Sequence, residues 1–151
     1  MKLFGRWLSA GFGIAPVVEP AGAAAAQPAC DDLIDGYCGA WSTADRAARS
    51  AMLDRVWDQR GTYTDPTAHV AGKGALNDHI HGFLSQYPGA KIVRTTGIDS
   101  HHDKLRFGWR LQLADGTVPI EGLDFCELSP EGKILHIVGF FGPLQAIGPG
   151  P

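Results

Sequence analysis

Three things are scarce in this 151-residue sequence: cysteine, clustered positive charge and long apolar runs. The three cysteines, Cys30, Cys38 and Cys126, form no C-x-x-C pair and show no Cys/His zinc spacing, so no metal site is expected. Cys30 and Cys38 are separated by what reads as helix. About seven helical residues at ~1.5 Å rise already exceed the ~7 Å allowed between bridged Cα atoms, so no structural disulfide is expected. The 13 Lys and Arg are spread from Lys2 to Lys133 against 16 Asp and Glu, for a formal charge of -3. Nucleic acid needs a concentrated basic face and is not expected as a partner. No apolar run approaches the ~18 residues that span a bilayer, so no membrane span is expected.

What is present fits one globular domain: 44% hydrophobic residues, 19% charged, 20 Gly and 10 Pro. The first 26 residues differ from the rest. Lys2 and Arg6 give a positive start, Trp7 to Val18 is mostly apolar, and Ala24-Ala25-Ala26 offers a cleavage site. Read as a secretory signal, the leader is removed and the protein is periplasmic or secreted. Read as a disordered Ala-rich extension, with Gly11, Gly13 and Pro16 interrupting its apolar stretch, it leaves the protein cytoplasmic. The chain then divides into a leader over 1–26, a domain over 27–144 and a Gly/Pro-rich tail over 145–151.

From Asp31, as N-cap, Leu33, Tyr37 and Trp41 recur at helical spacing. Ser42 and Asp45 read as a capping box for a second helix. That helix carries Ala44, Ala47, Ala48, Ala51, Met52 and Val56 on one stripe and ends at Gly61. Thr62-Tyr63-Thr64 is a short strand, and Pro66 holds Asp65 extended. A third helix runs from about Lys73 to Tyr87, burying Leu76, Ile80, Phe83, Leu84 and Tyr87 before Pro88-Gly89 stops it. Four strands follow. They cover Lys91–Ser100, the alternating stretch Leu105 to Leu113, Val118–Leu128 after the Asp115-Gly116 turn, and Lys133–Phe141. Helices first and strands after predict an α+β fold with about three helices on one face of a mainly antiparallel sheet. Its other face has Leu135, Ile137 and Phe141 to hide, which predicts a homodimer.

Asp124 shares a strand face with Val118, Ile120, Gly122, Cys126 and Leu128. A carboxylate among apolar neighbours pairs with a cation, here Arg106 or Arg110, or takes up a proton, unless a bulge turns it to the other face. Asp65 is either turn chemistry before proline or a carboxylate looking into a cleft between sheet and helices. Two carboxylates whose surroundings push their pKa values apart can run acid and base chemistry in one site. Trp57, Phe107, Trp109, Phe140 and Phe141 are core or pocket wall, and His79 borders the apolar stripe of its helix. His81, His101 and His102 read as exposed, and His136 as a core residue beside Ile134, Val138 and Phe140.

The series Trp41-Ser42-Thr43-Ala44-Asp45, Tyr63-Thr64-Asp65-Pro66, Glu121-Gly122-Leu123-Asp124-Phe125, Gly132-Lys133-Ile134 and Gly139-Phe140-Phe141-Gly142 resembles the nuclear transport factor 2-like superfamily. Within it the sequence is most similar to the SnoaL-like polyketide cyclase and ketosteroid isomerase branch, over about residues 31–144. The resemblance implies a curved sheet wrapped around a conical pocket that holds an apolar small molecule and uses no cofactor. It implies Asp65 as the proton-shuttling base and Asp124 as the protonated aspartate of an oxyanion hole. Trp41 falls where the isomerases have a tyrosine, a departure, since an indole N–H donates one hydrogen bond without a phenol's acidity. Tyr37, one turn earlier on the same face, is the alternative donor. Tyr37, Trp41, His79, Trp109 and Phe140 are the expected pocket wall. Three functions fit: an isomerase, cyclase or dehydratase acting on a small carbonyl compound; a non-catalytic carrier of an apolar ligand; or a dimerisation module.

Overall fold

The computed structural model describes residues 23–148. Most of the expected leader, residues 1–22, and the end of the tail, residues 149–151, lie outside the described residues. Helix α1 spans Ala23–Ala40, α2 Arg46–Val56 and α3 Lys73–Gln86. The strands are β1 Trp57–Asp65, β2 Ala68–Ala71, β3 Lys91–Arg94, β4 Asp99–His101, β5 Lys104–Gln112, β6 Ile120–Leu128 and β7 Ile134–Phe141. They form one sheet in the order β2-β1-β7-β6-β5-β3, with β4 also on β5. Among the described residues only the β1–β7 pairing is parallel, and the rest are antiparallel. This is the expected α+β arrangement, with three helices against a curved sheet.

The core lies between helices and sheet. Tyr37 stacks on Trp57 at 6.0 Å between ring centroids, and Ile34, Leu53, Leu76, Ile80, Phe107, Ile134 and Ile137 fill the space around them. Several elements start or face differently from their reading in the sequence. Asp31 lies inside α1, where it pairs with Arg94 of β3 rather than capping. Asp45 is itself the cap of α2, accepting from Ala48 N at 2.7 Å. Ser42 instead closes α1, donating to the Cys38 carbonyl at 3.0 Å and so satisfying one of the helix's terminal acceptors. Helix α2 ends at Val56, because Val56 and Trp57 favour extended backbone and Trp57 gains its stacked partner there.

Of the expected stripe, Ala44, Ala47, Ala48 and Ala51 face solvent, while Met52 and Val56 turn inward together with Arg49 and Leu53. A buried guanidinium is tolerable only if its donors find acceptors. Arg49 donates to Asn77 Oδ1 at 2.6 Å and to the Thr43 carbonyl at 2.7 Å, tying α2 to α3 and to the turn before it. The stretch 91–100 is two strands, broken at Thr95-Thr96-Gly97, where Thr96 Oγ1 accepts from Gly108 N of β5.

One irregularity sets the faces of β7. Leu128 pairs with Ile134 but Glu127 pairs with His136, so Leu135 is an extra residue. Beyond it the alternation reverses. Ile137, Gly139 and Phe141 face the helices, and His136, Val138 and Phe140 face outward. Ile137 and Phe141 are therefore not on the outer face, and His136 is half-buried with Nδ1 2.8 Å from Thr62 Oγ1. Cys30, Cys38 and Cys126 are free thiols. Among the described residues no helix is long and apolar enough to cross a membrane.

Candidate functional site

The sheet curves around a cavity of about 550 Å³ roofed by α1 and α3. Tyr37, Trp41, Asp65, His79, Trp109 and Asp124 all line it, so six of the seven expected site residues meet in one place. Phe140 does not. It is 61% exposed on the outer face, because the extra residue in β7 turns it away from the cavity.

Asp124 sits in the middle of β6, opposite Phe107 on β5 and Gly139 on β7, and is 4% exposed. Neither Arg106 nor Arg110 reaches it; Arg106 pairs with Asp99 instead. Its partner is Trp109, two residues along β5 from the opposite position, whose Nε1 donates to Asp124 Oδ1 at 2.7 Å. Two glycines make room for this pair. A methyl on Gly122 would lie 2.5 Å from the Trp109 ring, and one on Gly139 would lie 2.9 Å from Asp124 Oδ1 and 3.7 Å from Asp65 Cβ. The same glycine therefore stands between the two acidic side chains. Burial pushes the Asp124 pKa up to about 7, with the Trp109 bond opposing and the Asp65 charge adding to the rise.

Asp65 ends β1. Its Oδ1 accepts from Thr67 N, Thr67 Oγ1 and Ala68 N at 2.7, 2.8 and 2.7 Å, which closes the turn into β2. Its Oδ2 accepts from the Tyr63 hydroxyl at 2.6 Å. Burial pushes this carboxyl upward, but the Tyr63, Thr67 and Ala68 donors outweigh it and hold the pKa below the usual carboxylate range. Asp65 is both a turn residue and a pocket carboxylate. One cavity thus holds an ionised carboxylate and one that gains a proton near neutrality.

The rest of the wall is aromatic. Trp41 lies 5.2 Å from Tyr63, 5.6 Å from Phe83 and 5.7 Å from His79, centroid to centroid. Trp41 is 6% exposed and its Nε1 has no hydrogen-bond partner. Tyr63 is a site residue that the sequence reading leaves in a short strand without a role. The signal for it is there, since Tyr63-Thr64-Asp65 in a strand puts residues 63 and 65 on one face. The Trp109–Asp124 bond has no comparable signal, because the two residues meet only through strand register. Among the described residues no group of three or more His, Cys, Asp or Glu is placed to hold a metal. His81, His101 and His102 are exposed away from the cavity.

The fold is the α+β cone of nuclear transport factor 2-like structures. Its likeness among solved structures runs to SnoaL-like and ketosteroid isomerase-like proteins. A candidate isomerase of the SnoaL-like family from Agrobacterium tumefaciens is 29% identical, with a TM-score of 0.70 over 74% of this chain and 95% of that one. A nuclear transport factor 2-like protein from Exiguobacterium is 18% identical, with a TM-score of 0.60 over 74% and 99% of the two chains. A protein of ketosteroid isomerase-like fold from Catenulispora acidiphila, in complex with trimethylamine, is 12% identical, with a TM-score of 0.58 over 71% and 82%. No protein-family model matches the sequence, and no curated protein matches it either.

Proposed function

We propose that the cone binds a small, mainly apolar carbonyl compound and moves a proton on it without a cofactor. Asp65, ionised, takes a proton from the carbon beside the carbonyl. Asp124, protonated, donates a hydrogen bond to the carbonyl oxygen as negative charge develops there, and the proton returns from Asp65 to carbon. Isomerisation follows if it returns at a different carbon. The observation that carries this reading is two carboxylates lining one aromatic cavity, Asp65 with four donors that favour its charge and Asp124 buried with a single donor. An ionised base working beside a neutral carboxylic acid is the arrangement that ketosteroid isomerase uses.

A second reading is a non-catalytic carrier. The four hydrogen bonds on Asp65 favour it, because they stabilise the charge that a base must give up. Exchange of α-protons with deuterated water, across a panel of small ketones and enones, separates the two. The enzyme reading predicts exchange by the parent protein and its loss in Asp65→Asn, since an amide is no base. A bound ketone that never exchanges supports the carrier.

We also propose a homodimer built on the outer sheet face. Leu123, Phe125 and Phe140 are 40%, 41% and 61% exposed there, and Leu123 pairs across the strands with Phe140 while Phe125 pairs with Val138. A contiguous apolar patch of this kind on a sheet is typical of an interface.

A further inference from the structure

Among the described residues the cavity wall contains three aspartates and many rings but neither lysine nor arginine. Of the acidic groups, Asp78 at the rim is paired with Arg46. Asp124 is bonded to the Trp109 indole. Asp65 has no cation: all its donors, from Tyr63, Thr67 and Ala68, are neutral. A negative charge is thus built into an apolar cavity whose described wall holds no lysine or arginine to answer it, His79 being its one basic side chain.

One ring, Tyr63, touches that charge, and the other rings follow it along the cavity wall. Tyr63, which donates to Asp65, lies 5.2 Å from Trp41, and Trp41 lies 5.6 Å from Phe83, which is 5.4 Å from Tyr87. A cation drawn to an aromatic face sits within about 6 Å of the ring centroid, so neighbouring rings at these spacings can share one cationic group. We propose that the ligand of this cone carries an alkylated ammonium group, seated between the Trp41–Tyr63 wall and the Asp65 carboxylate. The proposal rests on reading the cone as a small-molecule site and names the class of molecule it takes. An alkylated head fits better than a primary ammonium. Asp65 already accepts four hydrogen bonds and has little left for three N–H donors, whereas a methylated ammonium needs the charge and the rings but few acceptors.

The test compares two molecules of the same shape. Choline and 3,3-dimethylbutan-1-ol differ in a quaternary nitrogen against a quaternary carbon, so calorimetric titration of the full chain with each isolates the charge. Choline is expected to bind at least about tenfold more tightly than the alcohol. Asp65→Asn keeps an oxygen for Thr67 and Ala68 and is expected to remove most of the difference. Phe83→Leu takes away one ring without touching a carboxylate and is expected to weaken choline more than the alcohol. Equal affinities, a preference for the alcohol, or no binding of either compound overturns the proposal. The proton-exchange experiment uses neutral ketones and stands apart. Exchange without a preference for choline defeats this inference and leaves the catalytic reading, and a preference for choline without exchange does the reverse.

Discussion

A methyl group on Gly139 would lie 2.9 Å from Asp124 Oδ1, well inside contact distance, with Asp65 Cβ at 3.7 Å and the Thr64 carbonyl of β1 at 3.8 Å on its other side. Gly→Ala substitutions generally stabilise by ~0.4–1 kcal/mol through the unfolded chain. Overpacking a filled site costs ~1–3 kcal/mol, and at this position it should win. Gly139→Ala is therefore expected to destabilise the protein by about 1–2 kcal/mol in denaturant unfolding and to slow any proton exchange, by pushing the Asp124 carboxyl off the Trp109 indole. Gly74→Ala is the control. It lies in α3 with nothing within 4 Å of the added carbon, and is expected to stabilise by up to ~1 kcal/mol. Equal effects at the two positions would mean that Gly139 does not keep the acid in place.

Elements with a clean period are legible in the sequence, and those whose facing depends on a partner are not. Strand β6 alternates over Ile120–Leu128 with no bulge at Asp124, so the face shared with Ile120, Gly122 and Cys126 holds, whereas Val118, expected on it, precedes the strand and is 39% exposed. The same holds for the inner face of β5 and for Leu76, Ile80 and Leu84 of α3, whereas Tyr87, expected to be buried, follows the helix and is 40% exposed. Strand β7 alternates as well, but its extra residue at Leu135 is fixed by pairing with β6, and nothing local marks it. Hence the sequence points Phe140 into the pocket, whereas in the structure Phe140 lies outside and Phe141 inside. In α2 two stripes have helical spacing, one through the alanines to Met52 and Val56 and one through Arg49 and Leu53 to the same Val56. Hydrophobicity picks the alanines. The structure picks the other, because Asn77 and the Thr43 carbonyl supply acceptors for a buried guanidinium and those lie on other elements. The two aspartates are legible as a pair, but their donors, Trp109 and Tyr63, emerge only once register is set.

For the molecule as a whole, the outer sheet face and the interior of the cone make separate demands. The outer face predicts self-association. Sedimentation equilibrium is expected to give a dimer at micromolar concentration, and Phe140→Glu, which places a charge at the most exposed aromatic of that patch, is expected to give a monomer. A parent protein that stays monomeric at high micromolar concentration would remove the dimer.

The interior predicts an unusual dependence of stability on pH. In the folded protein Asp124 holds its proton up to about pH 7, against a reference value of 3.8 for a free side chain. Between those values the folded state binds more protons than the unfolded one, so this group's contribution to stability falls as pH rises through the window. Asp65, with its lowered pKa, works in the opposite sense: its contribution is present above the unfolded value and is lost as pH falls through the folded one. Asp65 is the same in the parent and in Asp124→Asn, so to a first approximation it cancels in their difference. The deciding measurement is the unfolding free energy of both proteins from pH 4 to pH 8. The stability of the parent relative to Asp124→Asn is expected to fall by on the order of 4 kcal/mol across that range, with Asp124→Asn the more stable at the alkaline end. Parallel curves, or an Asp124→Asn protein that grows relatively less stable as pH rises, would show that Asp124 is an ionised structural carboxylate and would contradict the account.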